Sequence, residues 1–185
     1  MMKGLLSKFN RVVLMRIFSR NTVILLEWKE NRSPTSSVVI REVTEKNVDD
    51  ALVFQSQKQV KLFSDFLKRG DHGFYGYLNN LCVHRSWVVS GPAKVMLYKF
   101  FSMNINLSEV FIQYCETAPS VRGKNIFAHV LNHVANEFKE KRVLTSVDLN
   151  NASSRRSMEK AGFKEVDRIK IMMILGIRFV SHERQ

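Results

Sequence analysis

The stretch that decides the fold is Pro119-Ser120-Val121-Arg122-Gly123-Lys124-Asn125-Ile126-Phe127-Ala128-His129-Val130-Leu131, PSVRGKNIFAHVL. A basic-glycine-basic turn runs straight into an apolar periodic segment. Ile126, Val130, Val134 and Phe138 recur every fourth residue, with Phe127, Leu131 and Ala135 beside them, so the spacing predicts a helix from about Ile126 to Lys141. The first N–H groups of such a helix have no intrahelical partner and carry the positive end of its dipole. Gly123 allows close approach to the backbone, Asn125 tolerates the left-handed conformation, and Arg122 and Lys124 add full charges. The turn therefore suits a phosphate or pyrophosphate. Two basic residues at an ordinary helix start have the same look, so the motif needs company.

Outward from this turn, the preceding run Glu109–Thr117 (EVFIQYCET) is the most strand-like in the chain, and Arg142–Leu149 (RVLTSVDL) reads as the strand that follows the helix. Strand, helix, strand implies a crossover and a parallel pair. Upstream, Val38–Val43 reads as a strand, two helical segments follow from Thr44 to Gly70, and Gly73–Asn79 and Leu81–Val89 form an antiparallel hairpin. Downstream, Asn151–Lys160 is a short helix and Phe163–Phe179 one or two closing strands. The expected architecture is α/β (α+β): a mixed, mostly antiparallel central sheet with helices on both faces.

At 185 residues and 45% hydrophobic content, one domain is the default. We place its start at residue 34, after the loop Asn31–Ser37, with residues 1–33 as a separate segment that includes a short strand, Thr22–Trp28. Residues 1–20 carry Lys3, Lys8, Arg11, Arg16 and Arg20 and no acidic residue, while Met2, Leu5, Leu6, Phe9, Val12, Val13 and Ile17 recur at helical spacing. Three readings fit: a basic amphipathic helix on an anionic membrane, a terminal helix packed on the domain, or an organelle-targeting presequence. Each basic group near an anionic surface contributes about 1 kcal/mol, so five supply on the order of 5 kcal/mol before ordering costs. The arginines interrupt any signal-peptide core, and no apolar run is long enough to span a bilayer. The expected location is the cytoplasm, with the inner face of the membrane as the site of any peripheral contact.

The net charge of +12 favours an anionic partner. The two cysteines, Cys82 and Cys115, stand apart on apolar runs, without the clustered spacing of a zinc site, and read as buried small hydrophobes rather than nucleophiles. No metal is expected. The basic residues are scattered and not interleaved with aromatics, so specific nucleic-acid binding is the weakest reading of the charge.

About thirty residues beyond the turn stands Asn151–Phe163, NASSRRSMEKAGF. With it, the chain resembles the GNAT superfamily of acyl-CoA-dependent N-acyltransferases. The family's turn, usually RGxGI, reads RGKNI here, and its later signature, an Asn with an ending like EKLGF, reads NASSRRSMEKAGF. The resemblance covers roughly Val38 to Phe179 and implies acetyl-CoA or another acyl-CoA as cofactor. It implies that backbone N–H groups of Val121, Arg122, Gly123, Lys124, Asn125, Ile126 and Phe127 hold the pyrophosphate. Glu116 and Thr117, at the strand end, would pair with the pantetheine arm like an added strand, a splay or bulge leaving an N–H to polarise the thioester. Asn151 and Ser154 would bond the far side of the cofactor. Two positions depart from the pattern: Asn125 replaces the second glycine, and Met158 stands where a tyrosine often protonates the leaving thiolate.

Acyl transfer to an amine needs a group to take the ammonium proton. Glu116 is the first candidate and Glu109 the second. Strict alternation puts Val110, Ile112, Tyr114 and Glu116 on one face of the strand. Tyr77 and His84 are candidates for lining the acceptor cleft, His84 alternatively being a satisfied core histidine, and Trp87 is core. The expected function is N-acyl transfer (class EC 2.3.1) of an acetyl or other short acyl group to a small-molecule primary amine, with an amino sugar of cell-surface polysaccharide as the suggested acceptor. The alternatives are a catalytically silent acyl-CoA-binding or membrane-associated scaffold protein and, behind it, a nucleic-acid binder. These motifs fix neither acyl chain length nor oligomeric state.

Overall fold

A computed structural model describes residues 18–98 and 101–184. The strands are β1 (Phe18–Trp28), β2 (Val39–Glu42), β3 (His72–Leu78), β4 (Leu81–Ser90), β5 (Ala93–Tyr98), β6 (Phe101–Ile105), β7 (Glu109–Thr117), β8 (Arg142–Asp148), β9 (Phe163–Ile174) and β10 (Ile177–Arg184). The helices are α1 (Gln57–Lys68), α2 (Ile126–Glu137) and α3 (Ala152–Lys160). Eight strands form one sheet in the order β10-β9-β1-β8-β7-β4-β3-β2, and β5 and β6 form a separate hairpin. β7 and β8 are parallel and the other neighbours antiparallel, as the strand-helix-strand reading requires. On one face α2 and α3 bury Ile126, Val130, Val134 and Met158 against Ile24, Val110, Ile112 and Val143. On the other, α1 and the 3-10 turn Val48–Val53 pack on Tyr75, Tyr77 and Trp87, and the β5–β6 hairpin covers Val23, Leu25, Phe111 and Leu144.

β1 corrects the expected N-terminal division. It is eleven residues long, runs between β9 and β8, and makes the expected boundary at residue 34 a loop within one sheet. The cause is legible in Val23-Ile24-Leu25-Leu26, where four successive apolar side chains are all buried. A strand covered on both faces reads as a continuous apolar run rather than an alternation. The helix expected over residues 1–20 falls, up to residue 17, outside the described residues, and Phe18–Arg20 are strand.

Two further elements differ. The first expected helix is the 3-10 turn Val48–Val53. The side chain of its N-cap, Asn47, accepts instead from the Thr44 N–H at 2.7 Å and leaves the turn uncapped. α1, by contrast, begins on a full capping box, in which Ser56 and Gln59 bond each other's backbone N–H. The stretch after Gly91-Pro92, read only as a break, forms the β5–β6 hairpin.

Candidate functional site

The site begins where β7 and β8 part. They pair from Glu109 opposite Arg142 to Ile112 opposite Thr145, and beyond that the two strands continue unpaired. On its other edge β7 carries a bulge. Arg85 lies opposite Glu116, but Trp87 lies opposite Gln113, so Tyr114 and Cys115 together face the single residue Ser86. Tyr114 takes a left-handed conformation, φ 50°, to make the extra step. A bulge of this kind breaks the ladder and re-aims the side chains beyond it.

That re-aiming corrects the placement of Glu116. Ile112 and Cys115 pack against the core under α2 and α3, so parity has shifted by one residue at the bulge. Glu116 therefore leaves the face it would share with Val110 and Ile112 and meets Arg85, whose Nη2 donates to Glu116 Oε2 at 2.7 Å. Arg85 is buried, lies over the Phe63 ring and also donates from Nη1 to the Tyr114 carbonyl. One guanidinium thus ties both the bulge and the carboxylate in place.

The strand end opens into a cleft of about 490 Å³. One wall is Cys115, Glu116 and Thr117 of β7; a second is Val121, Arg122, Gly123, Asn125, Ile126 and Phe127 at the entry to α2; a third is Asn151, Ser153, Ser154, Arg156, Ser157 and Lys160 of α3. Of the residues assigned to the cofactor from the sequence, Lys124 alone stands outside this lining; its carbonyl accepts from Ser36 Oγ at 3.2 Å.

The mouth of α2 is open. Asn125 is its N-cap in the left-handed conformation (φ 57°), and no side chain caps the helix. Asn125 turns its Oδ1 to the Lys160 ammonium, 3.1 Å away, so the residue that replaces a glycine holds a cation at the helix mouth. Gly123 has φ 84°, and a Cβ there would meet nothing within 4 Å, so glycine serves the backbone conformation rather than a tight contact. Arg122 folds back to donate from Nε to the Thr117 carbonyl at 3.1 Å. Across the cleft Asn151 caps α3 by accepting the Ser154 N–H at 3.1 Å. At the far end of α3, Gly162 has φ 93°, and a Cβ on it would sit 1.8 Å from the Glu30 carbonyl oxygen, which accounts for the glycine of the EKAGF ending.

Three sequence-assigned side chains are elsewhere. Glu109 is at the opposite end of β7, buried, accepting from the Asn106 N–H at 2.9 Å and from Arg142 Nη1 at 2.9 Å; it locks a turn and the foot of the parallel pair. Tyr77 is buried on the α1 face, and its hydroxyl donates to Asp50 at 2.7 Å. His84 is fully buried beneath the cleft floor, with Nδ1 bonded to Thr117 Oγ1 at 2.7 Å, Nε2 to Ser86 Oγ at 2.9 Å, and its ring stacked on Phe127. Burial, and then the nearby Arg85 charge, push this histidine down to about 3, so it is neutral at pH 7. It positions Thr117 and is the satisfied core histidine of the two readings. Burial pushes the Cys115 thiol up to about 11, which keeps it protonated and a poor nucleophile.

Sequence reasoning found Asn151 and Ser154 on the α3 wall but missed the rest of it. Ser153, Arg156, Ser157 and Lys160 recur at the three- and four-residue steps of a helix stripe, a signal that was present in the sequence. A second cavity, of about 430 Å³, shares Cys115, Phe127, Asn151 and Ser154 with the first and extends to Met96, Tyr98, Gln113, Tyr114 and Met158. The gap between β7 and β8 therefore connects the α2–α3 side of the sheet with the hairpin side.

No protein-family model matches the chain, and no curated protein matches it in sequence. Solved structures do match its fold. A GNAT-family acetyltransferase from Colwellia psychrerythraea superposes over 96% of this chain and 62% of its own, at TM-score 0.62 and 12% identity. The fold is that of the GNAT acetyltransferases. A glucosamine N-acetyltransferase region of a fungal multi-domain β-N-acetylglucosaminidase matches over 96% of this chain and 23% of its own, at TM-score 0.60 and 10% identity. An aminoglycoside N-acetyltransferase in complex with coenzyme A matches over 69% of this chain and 92% of its own, at TM-score 0.53 and 14% identity. The chain thus spans less than two thirds of the Colwellia GNAT protein's length. In GNAT terms, the parted parallel pair and the bulge lie where the resemblance asked for a splay.

Proposed function

We propose that this chain is an acyl-CoA-dependent N-acyltransferase that moves an acetyl or other short acyl group to a small-molecule primary amine. The observation that carries the proposal is the convergence of an uncapped helix mouth, a parted parallel pair and a bulged strand end on one cleft. The residues there fit a coenzyme carrying a diphosphate. The first N–H groups of α2 and the charges of Arg156 and Lys160 face the lining where anionic oxygens are stabilised, and Asn125 fixes Lys160 without filling the space. Bound there, the coenzyme supplies the acyl group as a thioester.

The chain's own residues then have separable tasks. The run Gln113–Thr117, paired to β4 but parted from β8, presents its β8-side backbone edge to an extended arm, and His84 and Arg122 hold Thr117 in line for it. Glu116 takes the proton of the acceptor ammonium, its carboxylate oriented by Arg85. Met158 lines the passage and has no proton to give, so a coenzyme held here would have to release its thiol as the thiolate without a proton from this position, which a thiol pKa of about 8.5 would allow. For the acceptor, the net charge of +12 favours an anionic carrier of the amine, such as a nucleotide-linked amino sugar of a cell-surface polysaccharide, and disfavours polyamines. The fungal glucosamine N-acetyltransferase region supports the same class.

Thermal melting with coenzyme A, acetyl-CoA and a mixed oligonucleotide, each at two salt concentrations, tests the binding step. A ligand at a hundredfold its dissociation constant adds about 2.7 kcal/mol of stability. Absence of a shift with either coenzyme overturns the proposal. A transfer screen against amino sugars, amino acids and polyamines then tests catalysis. Met158 favours one second reading, a protein that binds acyl-CoA without turnover, and a melting shift with no transfer to any amine selects it.

A further inference from the structure

We propose that the sheet corner where β1 begins and β9 turns into β10 docks on an anionic lipid surface. Directly opposed residues on neighbouring strands share a face. Ile174 is opposite Ile177, Met172 is opposite Phe179, and Arg20 of β1 is opposite Met172, so these five lie on one face of the corner. Ile174, Ile177 and Phe179 are 36%, 62% and 49% exposed. Val180 and Ile171, on the other face, pack into the core under the β5–β6 hairpin, so the apolar exposure is confined to one side.

The turn between the strands is the sharper signal. Leu175 and Gly176 both have positive φ, 49° and 83°. A two-residue turn of this kind favours Asn-Gly, and a bulky L side chain in the left-handed region is an outlier. The chain nevertheless places a leucine there and leaves it 77% exposed. Local stability disfavours this residue, and packing does not require it.

Charge selects the occupant. On this face of the corner the charged residue is Arg20, a cation; Arg178 lies on the other face, over the Phe101 ring. β1 starts opposite Ile174, so residues 1–17 join the fold at this same corner. Their sequence carries Lys3, Lys8, Arg11 and Arg16, no acid, and apolar residues at helical spacing. The corner and the segment are alike, apolar with positive charge, and so complement an anionic apolar surface rather than each other. A second copy of the chain, itself +12, brings the same repulsion. Among the described residues no helix is long and apolar enough to cross a membrane, so the contact is peripheral.

The test is co-sedimentation of the full chain with phosphatidylcholine vesicles, with and without phosphatidylserine, at two salt concentrations. Wild type partitions to the phosphatidylserine vesicles, less so at high salt, and not to phosphatidylcholine alone. Leu175→Asn installs the residue the turn favours, so its melting temperature holds or rises while partitioning falls about tenfold. Ile177→Ser with Phe179→Ser also lowers partitioning and checks the face independently. Wild-type partitioning by both variants removes the corner from the contact. Failure of wild type to bind phosphatidylserine vesicles overturns the proposal. So does a dimer in sedimentation equilibrium that the variants dissociate, which makes the corner an interface between copies.

Discussion

His84 offers a prediction whose size follows from its surroundings. The imidazole is fully buried, bonded at both ring nitrogens to hydroxyls, and pushed down to about 3, whereas an unfolded chain titrates it near 6.5. Between those values the unfolded state binds a proton that the native state refuses, so stability is full above about pH 6.5 and falls as pH drops towards 3. Going from pH 7 to pH 5, the unfolded state gains about 2 kcal/mol from this one group. For a chain of this length that amounts to a melting temperature lower by roughly 4 to 8 °C. Carboxylates also titrate in this range, so the quantity to measure is a double difference. Thermal unfolding of wild type and His84→Gln is followed by circular dichroism at pH 7 and pH 5. Glutamine keeps a donor and an acceptor for Ser86 and Thr117 but cannot take the proton. Wild type should lose about 2 kcal/mol more than the variant between the two pH values. Equal losses would mean that the ring is protonated in the native state, and the reading of His84 as a neutral strut under Thr117 would fail.

The remaining predictions separate structural from functional roles. Gly162→Ala puts a Cβ 1.8 Å from the Glu30 carbonyl oxygen at a φ of 93°, so it should cost at least about 2 kcal/mol by denaturant unfolding; wild-type stability would contradict the tight turn. Glu109→Gln should lower stability by about 1 to 2 kcal/mol through the Arg142 pair and leave kcat unchanged. Glu116→Gln should lower kcat about a hundredfold and flatten the acidic limb of its pH profile, and an unchanged profile removes Glu116 from proton transfer. Lys160→Met should raise KM for acyl-CoA about five- to tenfold with kcat unchanged, and a wild-type KM places the diphosphate elsewhere.

The elements of this fold that local pattern could specify were legible. The helix spacing of Ile126, Val130 and Val134, the strand runs on either side and the glycine-bearing turns placed the parallel pair and the cleft wall made by α2. What pattern could not supply was pairing. Val23–Leu26 reads as a short isolated strand until its neighbours are known, because burial on both faces erases the alternation that marks a face. The β5–β6 hairpin is built from alternating residues that cover one patch of the sheet, and its signal was masked by the break at Gly91-Pro92.

The site shows the same division at the scale of single residues. Backbone conformation at Gly123 and Asn125 is a local property, and both take the left-handed form that their residue types allow. The direction of Glu116 is not local. It depends on one extra residue opposite Ser86, and nothing in EVFIQYCET marks Tyr114 as the residue that will take a positive φ. A strict two-residue period therefore assigns every side chain before the bulge correctly and every one after it to the wrong face. The same step that misleads the reading breaks the ladder at Tyr114 and Cys115 and brings Glu116 to Arg85. Where a strand must both hold a core and present its backbone to a ligand, the irregularity that serves the ligand is the feature least visible to periodicity, and a break in an otherwise regular central strand is the place to look for chemistry.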